Sequence, residues 1–231
     1  MDQISFYAFS FNNQDRKHKL KQQFDKENLV INFIDPVLDT DPRIKDAPMT
    51  HKRNWAIMWS HLDMIKVFVE SDAKYGVFCE DDLILRRSFK KYIPELIAAY
   101  DRRDLEILLL SYLTTKKPAS LITERDFRSS DKNLMYLEYD DNIWGAHMYM
   151  IDKVTAIRFL EIYTSEYANT TLLMPEIPAF SPDWTLTKIG KRALVYPMMG
   201  LEEGTVATTD EAHISFHRIC RNTHYDPLQY Y

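Results

Sequence analysis

Apolar residues along the chain fall into two patterns: short dense runs, and longer polar stretches striped at three- and four-residue intervals. The run ISFYAFS, Ile4 to Ser10, is rich in β-formers and predicts a first strand. A polar segment from Asn13 to Glu27 follows, with Leu20 and Phe24 four apart on one face, which predicts a helix. LVINFI, Leu29 to Ile34, reads as a second buried strand and leads into the Pro/Asp-rich loop DPVLDTDPRIKDAP. From His51 to Glu70 the residues Trp55, Met58, Trp59, Leu62, Ile65 and Val69 keep the spacing of an amphipathic helix. YGVFC is a third strand, IPELIAAYDRR a helix and LEILLL a fourth strand. After a looser middle come the strands LMYLEY and AHMYMI, the helix KVTAIRFLEIYTS, a Pro-rich loop and a last strand near ALVYP. The early β-α-β-α-β order predicts a parallel sheet covered on both faces, and the later hairpin-like strands add a mixed portion. One α/β domain is expected.

Composition narrows the function classes. At 231 residues the chain suits one domain, and 45% hydrophobic with 27% charged residues is ordinary for a globular protein. A net charge of −5 argues against nucleic-acid binding while allowing a local basic pocket for a small anion. No apolar run reaches the roughly 18–20 residues that span a bilayer, and MDQISFYAFSF lacks the marks of a signal peptide. Cys79 and Cys220 are the only cysteines, so no disulfide framework is expected and a reducing cytoplasm is the simplest location. With five glycines there is neither GxGxxG nor GxxxxGK[ST], so phosphate binding through a Gly-rich loop is excluded.

The stretch YGVFCEDDLILRRSF poses a chemical problem. Glu80, Asp81 and Asp82 are adjacent carboxylates at the end of a buried strand, and LIL resumes directly after them. Their repulsion is costly unless something positive sits among them. In open α/β sheets ligands bind beyond the carboxyl ends of the strands. Hard carboxylate oxygens suit Mg²⁺ or Mn²⁺, ions often shared with substrate phosphates. A metal-bridged diphosphate site would answer the repulsion; a solvated turn is the plainer alternative.

These residues also carry a family resemblance. WAIMWSHLDMIKVFVESDAKYGVFCEDDLIL resembles the central block of the family 25-type glycosyltransferases, where a Ser-His helix leads into a strand ending in Glu-Asp-Asp. SFNNQDRKHKL is similar to the family's start, WGAHMYMIDKVTA to its Gly-Ala-x-x-Tyr strand and helix, and SPDWTL to its Pro-x-Asp segment. The chain is similar, too, to compact glycosyltransferase domains encoded by large algal (chlorella) viruses, which would put it in the host cytoplasm. The resemblance implies a GT-A fold: one Rossmann-like domain with a central, mostly parallel mixed sheet flanked by helices. It implies a nucleotide-binding half over residues 1–110 and an acceptor-side half with a C-terminal lid over 111–231. A UDP-sugar as donor, Mn²⁺ or Mg²⁺ as cofactor and a glycan or glycoprotein acceptor follow from it as well. Asp82 would then be the direct metal ligand, with Glu80 toward ribose or base and Asp81 positioning the donor.

Further candidates are weighed around that core. Ser10, Phe11 and Asn12 follow the first strand, where Phe11 is placed to stack on a base; an ordinary turn would look the same. Arg16 reads as a nucleotide contact, or as one more cation on a helix face with Lys17, Lys19 and Lys21. Arg53 near a helix start suits phosphate. Ser60 is expected to line the pocket on the strength of the resemblance, whereas Trp55 and Trp59 read as core. Trp144, Gly145 and His147 are read as shaping an acceptor or sugar pocket. Asp183 in SPDW is the candidate base of an inverting transfer, although Ser, Pro and Asp there also spell a helix start. EEGTVATTDEAHISFHR, with small polar residues between ordered segments, reads as a lid. His213 or His217 would complete the metal site, His213 being preferred. Two rival functions remain at this stage, a sugar-phosphate nucleotidyltransferase and a non-catalytic nucleotide- or glycan-binding module.

Overall fold

The computed structural model describes residues 3–45, 47–116, 127–128, 134–206 and 208–231. In chain order the elements begin with β1 (Ile4–Phe9), α1 (Gln14–Lys26), β2 (Ile31–Ile34), α2 (Met49–Glu70), β3 (Tyr75–Glu80) and β4 (Leu83–Leu85). A short 3₁₀ turn at Phe89–Lys91 leads to α3 (Ile93–Arg103), β5 (Ile107–Leu113), β6 (Phe127–Arg128), β7 (Met135–Leu137) and β8 (Trp144–Asp152). The chain closes with α4 (Lys153–Ile162), α5 (Ser165–Leu173), β9 (Arg192–Tyr196), β10 (Gly200–Glu202) and α6 (Glu211–His224).

Eight strands form one sheet in the order β2-β1-β3-β8-β5-β9-β7-β6, and β10 pairs with β4 in a separate two-stranded ribbon. The pairings make β1, β2, β3, β5, β6 and β9 run one way and β7 and β8 the other. The sheet is therefore mixed and mostly parallel, as expected. Side chains alternate between its faces. Tyr7 and Phe9 join a core with α2 and α4, while Phe6 and Ala8 join one with α1 and α3. Burial on both faces explains why β5 reads as an unbroken apolar run rather than an alternating one. The 110/111 boundary falls inside β5, and the sheet continues across it.

Local chemistry sets the element ends. Asn13 caps α1 by accepting the Arg16 N–H at 3.0 Å. The helix expected over Lys153–Ser165 is instead two. The first ends at Ile162, and Thr164 then caps α5 by accepting the Tyr167 N–H at 3.3 Å. SPDW does not start a helix. Residues 181–188 are a series of turns, with the N–H groups of Trp184 and Thr185 both donating to the Ser181 carbonyl. Asp210 accepts from the Ala212 and His213 N–H groups and begins α6, so both tail histidines lie on a helix. Cys79 and Cys220 are buried and unpaired. No helix among the described residues is long and apolar enough to cross a membrane.

Candidate active site

The sheet brings four distant segments to one edge. β1 and β3 are parallel with Phe9 opposite Glu80, so Ser10 and Asp81 follow side by side, and the Ser10 hydroxyl donates to an Asp81 carboxylate oxygen. β8 runs antiparallel to β3 with Met148 opposite Cys79, which puts its first residues, Trp144 to His147, at the same edge. The ribbon adds Glu202 opposite Leu83, and the Glu203 N–H donates to the Asp82 carbonyl at 2.8 Å.

Positive groups of the protein itself sit among the three acids. Arg16 Nη1 lies 3.8 Å from Asp81 Oδ1 and 3.9 Å from Asp82 Oδ2, and its Nε donates to Glu203 Oε1 at 2.6 Å. Burial pushes Glu80 up, but the His61 imidazole against it and the charges of His147 and Arg53 outweigh this and lower its pKa. Asp82 moves the other way. Burial, with help from Glu80 and Glu202, raises it to about 7 against the pull of His147 and Arg16. Asp81 is also raised by burial, less the effects of Ser10 and Arg16. His147 is raised: burial opposes its charge, but Glu80, Asp82, Glu202 and Asp183 together prevail.

One oxygen or nitrogen from each of Glu80, Asp82 and His147 lies within 4.8 Å of the others, the one grouping of this kind among the described residues. Asp82 Oδ1, His147 Nδ1 and Glu202 Oε1 are buried with no hydrogen-bond partner. Buried polar atoms are ordinarily satisfied, and two of these unpaired atoms belong to the Glu80–Asp82–His147 grouping, so a divalent cation fits there. Two carboxylates and an imidazole are a donor set that Mn²⁺ accepts well and Mg²⁺ accepts.

Asp183 reaches the same place from the turns after the Pro-rich loop. Its Oδ1 accepts the Gly145 N–H at 2.9 Å, and its neighbours Thr187 and Ser181 are tied to local backbone. Burial and Glu80 raise its pKa, partly offset by His147 and the Gly145 N–H. Gly145 has φ +103°, and a Cβ there would stand 2.6 Å from His147 Nδ1. A side chain at that position would displace the imidazole.

The other candidates separate. Arg16 and Ser10 are at the acids; Phe11 is exposed, edge-on to Phe9, and Asn12 turns at φ 53° beside them. Arg53, exposed on α2, contributes charge to Glu80. Ser60 does not line the site. It is fully buried, donating to the Ala56 carbonyl at 2.8 Å and accepting the Val37 N–H at 2.9 Å. Its neighbour His61, equally buried, is the one that reaches the acids, 3.5 Å from Glu80 and 3.1 Å from the Tyr149 hydroxyl. His213 is exposed and outside the three-residue cluster; its Nε2 is 2.9 Å from His217 Nε2, and His217 Nδ1 is 3.2 Å from Glu202. The expected lid begins in β10, is held by Arg16 through Glu203 and Thr205, and ends at the α6 cap, with residue 207 outside the described residues. Two features were not legible in the sequence: Glu202 at the site and the place of His147 beside Glu80 and Asp82. Nothing in a three-residue strand signals the first; the second needed only the alternation of AHMYMI to set His147 on a face.

The sequence matches the profile of glycosyltransferase family 25 (LPS biosynthesis protein) over residues 3–174. No curated protein matches the chain. Among solved structures, a glycosyltransferase involved in the glycosylation of the major capsid of PBCV-1 is 9% identical, covering 94% of this chain and 90% of its own, at a TM-score of 0.37. Mannose-1-phosphate geranyltransferase from Thermus thermophilus is 9% identical, covering 84% and 74%, at a TM-score of 0.40. Neither likeness bears on substrate. The profile covers most of the chain: this protein belongs to glycosyltransferase family 25 and is a glycosyltransferase.

Proposed function

We propose that this family 25 glycosyltransferase moves a sugar from a UDP-sugar to a glycan or glycoprotein hydroxyl with inversion, in a Mn²⁺- or Mg²⁺-dependent reaction. The observation that carries the proposal is the convergence of Asp183 with the orphaned atoms of Asp82 and His147. Glu80, Asp82 and His147 would hold the cation, which supplies positive charge against the diphosphate leaving group. Ser10, Phe11 and Asn12 frame the nucleotide, and Arg16 is positioned to meet a phosphate in exchange for the acids it now pairs with. Asp183 takes the acceptor's hydroxyl proton as the new bond to the anomeric carbon forms. The bond from that carbon to the phosphate oxygen breaks, and its electron pair leaves with the diphosphate. A carboxylate whose pKa is raised by burial is better matched to that proton than an exposed one.

A panel of nucleotide sugars, assayed for free-nucleotide release with Mn²⁺ and with EDTA, tests the reading. Release confined to the metal arm and strongest with a UDP-sugar is expected. Asp183→Asn should cut turnover by about 10²–10⁴-fold while UDP affinity holds. Equal release in EDTA, or a product that keeps the donor's anomeric configuration, would overturn the metal or the inverting part respectively.

A further inference from the structure

Two tryptophans stand at the mouth of this site and belong to no core. Trp144 and Trp184 remain 39% and 37% exposed, and their rings meet edge to face with centroids 4.6 Å apart. Each is the immediate chain neighbour of a residue in the same hydrogen bond, Gly145 donating to Asp183. The bond that fixes the carboxylate therefore fixes the indole pair as well. Single exposed apolar side chains are commonplace; two indoles in contact beside a half-buried carboxylate are not.

Sheet order says what the pair faces. β3, which ends in the acids, lies between β1 and β8. Ser10 follows β1 on one side of the acids, and Trp144 opens β8 on the other. With strands about 4.8 Å apart, nucleotide and indoles fall on opposite flanks of the cluster, roughly 10 Å across. Trp144 also borders a cavity of about 270 Å³, together with Thr114, Asn142, Asp140 and Phe216. Trp184 lies outside that lining, which mixes apolar side chains such as Leu113 and Leu194 with hydroxyl, amide and charged groups; an indole beside such a cavity matches a pyranose, which has an apolar C–H face and an equator of hydroxyls.

We propose that Trp144 and Trp184 form the acceptor subsite, stacking a pyranose ring so that one hydroxyl meets Asp183. This rests on the reading of Asp183 as the base and narrows the acceptor to a glycan with an accessible ring face. The indoles are expected to act on the acceptor and to leave the donor alone. The rival occupant is the donor's base.

The near-ultraviolet circular dichroism of the full chain reports the coupled indoles directly. We would titrate it with methyl glucoside, galactoside, mannoside and N-acetylglucosaminide, with sorbitol as the ring-free control and UDP with Mn²⁺ as the donor arm. At least one pyranoside should perturb the couplet where sorbitol does not. By isothermal titration calorimetry, which does not depend on the couplet, Trp144→Ala and Trp184→Ala should each weaken that pyranoside by roughly five- to ten-fold and leave UDP affinity unchanged. A loss of UDP affinity in either variant would assign the pair to the base. No response to any pyranoside, or an equal response to sorbitol, would overturn the subsite. Pyranoside binding that needs both indoles, in a protein that releases no nucleotide from any donor, would sustain the subsite and reject the donor reading.

Discussion

At the scale of single residues, the acids at the end of β3 divide the labour by environment. Glu80 is held charged by His61 and His147, whereas Asp82 is burdened by burial and by two acidic neighbours. Its pKa rises from 3.8 to about 7 on folding. Below pH 4 the folded and unfolded chains both carry the proton and Asp82 costs nothing. Between about 4 and 7 the unfolded chain releases the proton and the folded one keeps it, so stability falls as pH rises; above 7 the full cost remains. In EDTA, Asp82→Asn is therefore expected to melt above the wild type, by a margin that grows from pH 4 to pH 7 and then levels. Adding Mn²⁺ with UDP should stabilise the wild type alone. A margin that shrinks with pH would show that Asp82 is not the strained member. The acids were legible in sequence because they are contiguous and carry their repulsion openly. The Ser-His motif does not record which of two adjacent buried positions reaches the acids, and here it is His61 rather than Ser60.

At the scale of elements, legibility followed length and periodicity. α3 runs over Ile93–Arg103 as its pattern predicts, closed by Asp104 in the left-handed region. β4 and β10 have three residues each, too few for alternation to register, yet their pairing brings Glu202 to the site. SPDW carries every mark of a helix start, but the chain there is fastened to Gly145 instead, a tertiary bond that local propensity cannot show. The opening of β8 is thus the element on which the site hinges. Gly145→Ala forces a Cβ into a φ of +103° and against His147 Nδ1 at 2.6 Å and the Leu113 N–H at 3.3 Å. A destabilisation of about 1–3 kcal/mol is expected from the backbone strain. A loss of the Mn²⁺-dependent response to UDP should accompany it, because the imidazole and Asp183 move together. Denaturant unfolding measures the first and thermal shift the second. A variant that unfolds early yet responds fully to Mn²⁺ and UDP would detach His147 from the cation.

For the whole molecule, the proposed function asks how a chain of net charge −5 would hold an anionic diphosphate against four carboxylates, Glu80, Asp82, Asp183 and Glu202. Arg16 and His147 already offset those acids, and Arg16 is shared with Glu203 and Thr205. A diphosphate arriving alone would compete for the same cations and strand carboxylates that the fold has buried. Arriving with a divalent ion, it would bring its own cation: Glu80, Asp82 and a deprotonated His147 would hold that ion, and Arg16 would be free to face phosphate. Stabilisation by ligand should therefore be conditional. UDP with Mn²⁺ at about 100 times the dissociation constant adds roughly 2.7 kcal/mol, which for a chain of this size raises the melting temperature by about 5–11 °C. UDP with EDTA should give almost nothing, Mn²⁺ alone a smaller rise, and uridine with Mn²⁺ no more than Mn²⁺ alone, since it lacks the phosphates that share the ion. Differential scanning fluorimetry across those four conditions decides it. A full shift from UDP in EDTA would mean that Arg16 and backbone amides bind the diphosphate unaided, and the converging acids would then need another explanation.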